Sequence, residues 1–410
     1  MPLILRMAFR NTLRQKRRSL LTILSLGAGY LLLNLAMSTT EGSYATVIDS
    51  FTRTQTGHIQ VHAPGYLKSP SIHKKINNGQ DLVATLSQVK EIEAFSPRIL
   101  GAGLSYHGSK ATPAVIWGID PSREQQTTSL ERKVKQGRYL SPGLTKDDRY
   151  EVMIGARLAK SLNCQVGANL VLISQGVDGS IANDEFEVVG IVGDEQSSLK
   201  SHVFMSLSAS REFFSMGDQF HELAIVTRHY KHAEDLSKQL SVKLESFKVS
   251  VEPWQVVAKE FYDAMLADKK GNQVTLFIII VMVSLGVLNT ILMSVMERSK
   301  EYGVLRALGT RPMVVFALVE LESLILAIAS ISLGFIASLP INYFFVFHGI
   351  TLSEPFEMAG IYFDTFTGEF SLYTVLYPAA VVVLATLLVS SYPGLRSAFI
   401  RPIDALRGVQ

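Results

Sequence analysis

The sequence predicts an α-helical membrane protein with four transmembrane helices and a mixed α/β extracytoplasmic domain inserted between helices 1 and 2. Four long apolar runs lie at residues 19–38, 274–296, 313–347 and 372–392. Each reaches the roughly 20 residues that cross a hydrocarbon core ~30 Å thick. The long stretch 41–270 is nearly neutral, with 26 Lys and Arg beside 27 Asp and Glu, and it mixes strand-like with helix-like patterns. The other 13 Lys and Arg fall in 1–18, 297–311 and 393–410. Basic residues confined to short segments flanking apolar runs are a membrane topology signal, not a nucleic-acid footprint.

Residues 1–18 read as a cytoplasmic interfacial helix. Arg6, Arg10 and Arg14 recur every fourth residue among Leu5, Met7, Ala8, Phe9 and Leu13, the pattern of a helix lying on a membrane surface. The first span, 19–38, is long, and the following AMSTTEG is a poor cleavage site, so it reads as an uncleaved anchor. Residues 39–273 form the outer domain. Segments 57–63, 111–119, 150–155, 170–174, 185–193 and 221–227 read as strands, and 81–92, 155–162, 209–215 and 231–247 as helices. VSVEPW (249–254) closes a βαβ-like unit, and DGSIANDEFE (178–187) is the clearest turn-rich interruption. QVVAKEFYDAMLAD (255–268) reads as a helix running into the second span, and residues 38–50 extend the first. The outer domain is thus expected to stand on two stalk helices.

The second span is 274–296. The charged segment 297–312, ERSKEYGVLRALGTRP, separates it from the third span, 313–340. Pro340 and Asn342 mark that span's outer end or a kink. Glu320 and Glu322, in its first turns, either pair with a neighbouring helix or the 297–312 segment, or are solvated at the interface. An extracytoplasmic loop, 341–371, carries Glu354, Glu357, Asp364 and Glu369, with no Lys or Arg from 348 onward. The fourth span is 372–392 and the cytoplasmic tail 393–410. The positive-inside rule places the N-terminus, 297–311 and the tail in the cytoplasm. Small residues Ser25, Gly27, Gly29, Ser284, Gly286, Ser332, Gly334 and Ser338 allow close approach of helices within the membrane.

The patterns of nucleotide and hydrolytic chemistry are missing. No G-x-x-x-x-G-K-[ST], G-x-S-x-G or H-E-x-x-H occurs. His58 and His62 alternate with Gln60 on one face of a strand, and a solvated strand face is the expectation there rather than a metal site. His229 and His232 read the same way. Cys164 is the single cysteine, so no intramolecular disulfide forms. The 178–187 segment lacks the oxygen-ligand spacing of a calcium loop. We expect no catalytic centre, metal or cofactor in this chain.

MERSKEYGVLRALGTRP (296–312), followed by a long third span, resembles the permease domain shared by the FtsX, MacB and LolC/LolE proteins. YPGLRSAFIRPIDALRG (392–408) resembles the end of that domain. AVIWGIDP (114–121), GRYLS (137–141), VMIGARLAKSLNCQVGANLVL (152–172) and FEVVGIVG (186–193) resemble the MacB-type outer domain, and MAFRNTLRQKRRSLLTI (7–23) fits as well. The resemblance covers nearly the whole chain. It implies a type VII ABC transporter permease, LolC/LolE-like, of the lipoprotein-releasing system type. Residues 274–410 would be the FtsX-like permease domain and 39–273 the MacB-like periplasmic domain, in a bacterial inner membrane. MacB carries a fused ATPase before its first span and this sequence does not, which brings it nearer LolC, LolE and FtsX.

The resemblance further implies a non-catalytic subunit. A separate cytoplasmic ABC ATPase binds ATP and Mg, and a second permease copy or homologue completes a dimer. Membrane lipid and a periplasmic carrier of lipid or lipoprotein are the other expected partners, and no nucleic acid is. The expected function is mechanotransmission that extracts lipoproteins or lipid-like cargo. The alternatives are MacB-like efflux of peptides or drugs and FtsX-like regulation of a periplasmic partner. By resemblance, Glu297, Arg298, Glu301, Gly303, Arg306 and Gly309 occupy the motif positions of the ATPase-coupling segment. Helical geometry adds Val304, Leu305 and Leu308. A helix from about Glu297 to Leu308 presents these three as its apolar side, Gly309 suits a left-handed C-cap, and Pro312 blocks continuation.

Overall fold

The computed structural model describes residues 2–14, 16–143, 149–358 and 361–399. Residues 400–408 of the C-terminal motif lie outside the described residues. In chain order come α1 (Pro2–Arg14), α2 (Lys16–Phe51), a π-helical turn (Thr52–Thr56), β1 (Ile59–His62), α3 (Gly79–Leu86), β2 (Ile92–His107), β3 (Lys110–Ile119), α4 (Pro121–Thr127) and β4 (Val134–Gly137). They are followed by β5 (Glu151–Gly155), α5 (Ala156–Leu162), β6 (Asn169–Gln175), β7 (Ile181–Val192), β8 (His202–Ser206), α6 (Leu207–Phe213), β9 (Glu222–Thr227), α7 (Ala233–Lys243), β10 (Ser250–Pro253) and α8 (Trp254–Val257). The chain continues through α9 (Lys259–Glu297), α10 (Ser299–Ala307), α11 (Pro312–Phe347), β11 (Ile350–Met358), β12 (Ile361–Phe366) and α12 (Leu372–Ala398). It divides into two compact units: residues 1–46, 266–354 and 364–410, and residues 47–265 with 355–363.

The second unit is built on one sheet ordered β10-β1-β9-β2-β3-β8-β5-β7-β4, with β6 pairing both β2 and β7. Because β6 joins those two, β2, β3, β8, β5, β7 and β6 close into a ring, which leaves them no open sheet edge. β9 and β10 both run antiparallel to β1. They are therefore parallel to each other with α7 as their crossover, a split βαβ unit. The turn in 178–187 is confined to its first residues: a tight loop closes at Gly176–Ser180, where the Gly176 N–H donates to Ser180 O (2.9 Å), and β7 runs on from Ile181. The polar residues of IANDEFE belong to the ribbon paired with β6.

β1 corrects the expectation of a solvated histidine face. It lies between β10 and β9, all four of its residues are buried, and His58 and His62 are buried with it. Thr227 N–H donates to His58 Nδ1 at 3.0 Å, while His62 stacks toward Tyr66, with ring centres 6.1 Å apart. Burial holds the His62 imidazole below its ordinary pKa. A period of two reports one buried face only when the other is wet, and here both are covered.

Arg98, fully buried on β2, organises this unit. It donates to Glu124 (Nη2–Oε1 2.6 Å, Nε–Oε2 3.2 Å) and Glu222 (Nη1–Oε1 3.0 Å), and its guanidinium sits 4.8 Å above the Trp117 ring. Burial holds the Glu222 carboxyl above its ordinary pKa, against the pull of Arg98. Replacing Arg98 with leucine leaves two carboxylates buried without a cation. We expect a loss of about 3–5 kcal/mol, read as faster native-state exchange of β2 and β9 amides.

His202 lies edge-on to Trp117, with ring centres 5.2 Å apart, and burial pushes its pKa down to about 4. The unfolded imidazole titrates near 6.5, so between these values the unfolded chain binds the extra proton. Stability is complete above about pH 6.5 and falls as the pH drops toward 4, by at most ~3 kcal/mol from this residue. His202→Phe should flatten that part of the pH–stability curve. An unchanged slope would contradict the assignment.

In the first unit, α2, α9, α11 and α12 are each long and apolar enough to cross a membrane. α2 passes Ser38 without a break, and α11 runs through Pro340 to Phe347. Pro340 is therefore not a helix end; within a bundle, neighbouring groups compensate for its missing N–H. α2 and α11 approach closely: a Cβ at Gly334 would lie 2.5 Å from Gly27 O and 2.9 Å from Tyr30 Cδ1. Gly29 faces Val283 of α9 as tightly, whereas Gly286 has no atom nearer than 4.0 Å and Ser332 is exposed. Asn342 Nδ2 donates to Asn34 Oδ1 (2.7 Å), and Asn34 Nδ2 to Thr374 O (2.8 Å), tying α11, α2 and α12 with the polar contacts that apolar surroundings favour. Higher along α2 and α9, Asn272 Nδ2 donates to Thr40 Oγ1 (3.0 Å), Lys269 pairs with Glu41 (3.0 Å), and Tyr44 OH donates to Asp268 Oδ2 (2.6 Å).

Candidate functional site

α10 is a short helix held between two membrane-length ones. Its start is set at Arg298, where the backbone leaves the helical region (φ −95°, ψ 4°) after the last residue of α9. Its end is set by Gly309, at φ +89°, the left-handed conformation that glycine adopts without penalty. Thr310 N–H donates to Leu305 O and Gly309 N–H to Arg306 O, both at 3.1 Å. This reverse-turn cap satisfies the last carbonyls of the helix. Arg306 Nη1 closes the turn on Thr310 O at 2.7 Å. The helix is Ser299–Ala307, shorter at both ends than Glu297–Leu308.

The inner side of α10 is fixed by a buried polar network. Arg298 Nη1 donates to Glu322 on α11, and Nε donates to Glu301 Oε2 at 3.2 Å. Its guanidinium lies 5.4 Å over the ring of Tyr302, which is fully buried. Asn11 on α1 donates from Nδ2 to the other Glu322 oxygen at 2.6 Å. Three elements therefore meet on one carboxylate. Burial works against charge on Arg298, yet Tyr302, Glu322 and Glu301 hold its pKa above the ordinary value. Burial also pushes the Tyr302 hydroxyl up. A cavity of about 30 Å³ beside the network is bordered by Asn11, Arg18, Thr22, Arg298 and Glu322, enough for a water. Arg18 grips Glu297 through both carboxylate oxygens, with Nη2 to Oε1 at 2.8 Å. Arg14, 3.6 Å from Glu301, is largely exposed and adds little. On the neighbouring turn of α11, Glu320 accepts from Ser390 Oγ at 2.9 Å. Both acids are paired rather than merely solvated.

The predicted residues separate into two groups. Arg298, Gly303 and Leu305 face inward, and Leu305 packs on the core cluster with Val315, Leu318 and Val319 of α11. Glu297 and Glu301 lie at the rim, Arg306 is half-buried in the C-cap, and Gly309 is exposed. Val304 and Leu308 point out, 45% and 79% exposed, flanked by Lys300 and Ala307. The outer apolar surface is thus Val304 and Leu308 without Leu305. Asn11 and Arg18 escaped sequence reasoning. A signal existed for Asn11, a polar residue on the α1 face otherwise formed by Ile4, Met7 and Ala8. Among the described residues, no cluster of three His, Cys, Asp or Glu side chains is placed to hold a metal ion.

A bundle of membrane-length helices, a separate α/β unit and a short helix pinned between two of the long ones fit a membrane permease. Residues 19–243 match the family model described as MacB-like periplasmic core domain, and residues 274–402 that described as FtsX-like permease C-terminal. The chain belongs to this MacB/FtsX family and is an ABC transporter permease of the LolC and MacB type. It is 23% identical over 412 residues to the lipoprotein-releasing system transmembrane protein LolC of Xylella fastidiosa (strain 9a5c), covering 96% of each chain. It is 23% identical over 413 residues to the macrolide export ATP-binding/permease protein MacB 2 of Aeromonas hydrophila, covering 98% of this chain and 60% of that one. Among solved structures, the periplasmic region of MacB from Actinobacillus actinomycetemcomitans aligns over 52% of this chain and 97% of that chain, at 17% identity and a TM-score of 0.37.

Proposed function

We propose that this permease couples ATP hydrolysis in a separate cytoplasmic ATPase to movement of its periplasmic domain, and so extracts lipoproteins or lipid-like cargo from the inner membrane. α10 is the docking element. The observation that carries this reading is the two-sidedness of α10: Val304 and Leu308 lie open while Arg298, Tyr302 and Leu305 are locked into the bundle. A surface held this firmly passes a push to α9 and α11 instead of absorbing it. α2 and α9, which run far beyond the length of a single crossing, act as the stalks. The basic segments keep α1, α10 and the tail on the cytoplasmic side. A second copy or a homologue completes the dimer.

The likeness to LolC over nearly the full length of both chains supports lipoprotein cargo. Efflux is the second reading, favoured by the equal identity to MacB 2 over 98% of this chain. The deciding experiment reconstitutes permease and ATPase in proteoliposomes and follows ATP-dependent release of a fluorescent triacylated lipoprotein beside export of a macrolide. Lipoprotein release without macrolide export is the expected result. Brisk ATP hydrolysis with neither would point to a regulator that transports nothing, and would sink the proposal.

A further inference from the structure

We infer that α1 senses anionic lipid and passes that state to α10 through Asn11. The side chains of α1 fall into three sets. Ile4, Met7, Ala8 and Asn11 face the bundle. Leu5, Phe9 and Leu13, at i, i+4 and i+8, are 52%, 56% and 54% exposed. Beside this apolar stripe stand the exposed Arg6, Arg10 and Arg14, and at the start of α2 the exposed Lys16 and Arg17. No Asp or Glu occurs before Glu41. The base of α2 adds the exposed Leu20, Leu21 and Leu24, the start of the apolar run that reads as the first span.

The occupant this surface fits is a bilayer face carrying anionic phospholipid. An apolar stripe alone would suit any membrane, but a block of cations with no acid in its own sequence, of which Arg14 nears Glu301 at 3.6 Å, is complementary to negative headgroups. Each such cation near an anionic surface is worth roughly a fivefold gain in occupancy. The link inward is short: Asn11 donates to Glu322 at 2.6 Å, and Glu322 holds Arg298 at the entrance to α10. Lipid that fixes α1 therefore fixes Asn11, and with it the geometry of the coupling helix. Asn11 is a positioning residue in this scheme.

The inference rests on the cytoplasmic placement of α1 proposed above but needs no ATPase, so its failure and a failure of docking are separable. The test is hydrogen exchange of the full chain in nanodiscs of phosphatidylcholine alone and of phosphatidylcholine with phosphatidylglycerol, with no ATPase present. Anionic lipid should slow amides 3–14 and 299–310 by about fivefold or more. Replacing Arg6, Arg10, Arg14, Lys16 and Arg17 together with glutamine should erase both effects. Asn11→Leu should keep the effect on 3–14 and lose that on 299–310. Equal exchange of 299–310 in the two lipids would overturn the inference, and so would an undiminished effect in Asn11→Leu.

Discussion

Val304→Asp with Leu308→Asp should release the proposed ATPase partner from an otherwise intact permease. Each side chain contributes about 1.5–3 kcal/mol when an apolar partner groove covers it. Replacing both with charges therefore weakens binding by roughly 100-fold or more. Neither residue supports the fold, since both are exposed, so yield and thermal stability should match the parent. Leu305→Asp is the informative contrast: Leu305 packs on the core cluster, so its replacement should destabilise the bundle as well as binding. Pull-down of the ATPase and stimulation of its hydrolysis by purified permease read the two effects. Full binding by the Val304/Leu308 variant would remove α10 as the docking surface.

The second large effect concerns the network beneath that surface. Arg298→Leu strands the Glu322 carboxylate, 11% exposed at its side chain, with only Asn11 as a partner. Removing one member of a buried pair costs about 3–5 kcal/mol, whereas replacing both with apolar groups of similar size is close to neutral. Arg298→Leu should therefore unfold at lower temperature in detergent, and Arg298→Leu with Glu322→Leu should recover most of the loss. Recovery of stability need not restore coupling. If the doubly apolar variant folds yet transmits poorly, the charges serve positioning more than stability. A double variant as unstable as the single one would mean that Arg298 acts through Glu301 or Tyr302 instead.

Hydropathy and charge made much of this molecule legible in the sequence. The apolar runs emerged because length alone separates a bilayer-crossing helix from a core helix. The stop at Gly309 and Pro312 was readable because glycine and proline act through the backbone. What escaped was whatever depends on partners distant in sequence. The 16-residue β2 lacks a clean alternation, because Pro97, Gly101 and Gly103 interrupt it and residues 95–99 around Arg98 are buried on both faces. The histidines of β1 were misjudged for the same reason. In the candidate site, the helical period gave α10 an apolar side but could not say which part of it the bundle would claim. That depended on Glu322, 17 residues past Leu305, and on Asn11, 311 residues before Glu322.

In the proposed function, force enters α9 from α10 and reaches α2 through the Arg18–Glu297 pair, so that both stalks carry it. Asn272 and Thr40, 3.0 Å apart at their side-chain polar atoms, offer a place to lock those two helices together. With Cys164 replaced by serine, Thr40→Cys and Asn272→Cys can be joined by a disulfide or the shortest thiol cross-linker, in the complete complex with its ATPase. The account predicts that the locked complex still binds the ATPase and hydrolyses ATP, that ATP-dependent lipoprotein release stops, and that cleaving the cross-link restores it. Undiminished release from a fully locked complex would contradict it.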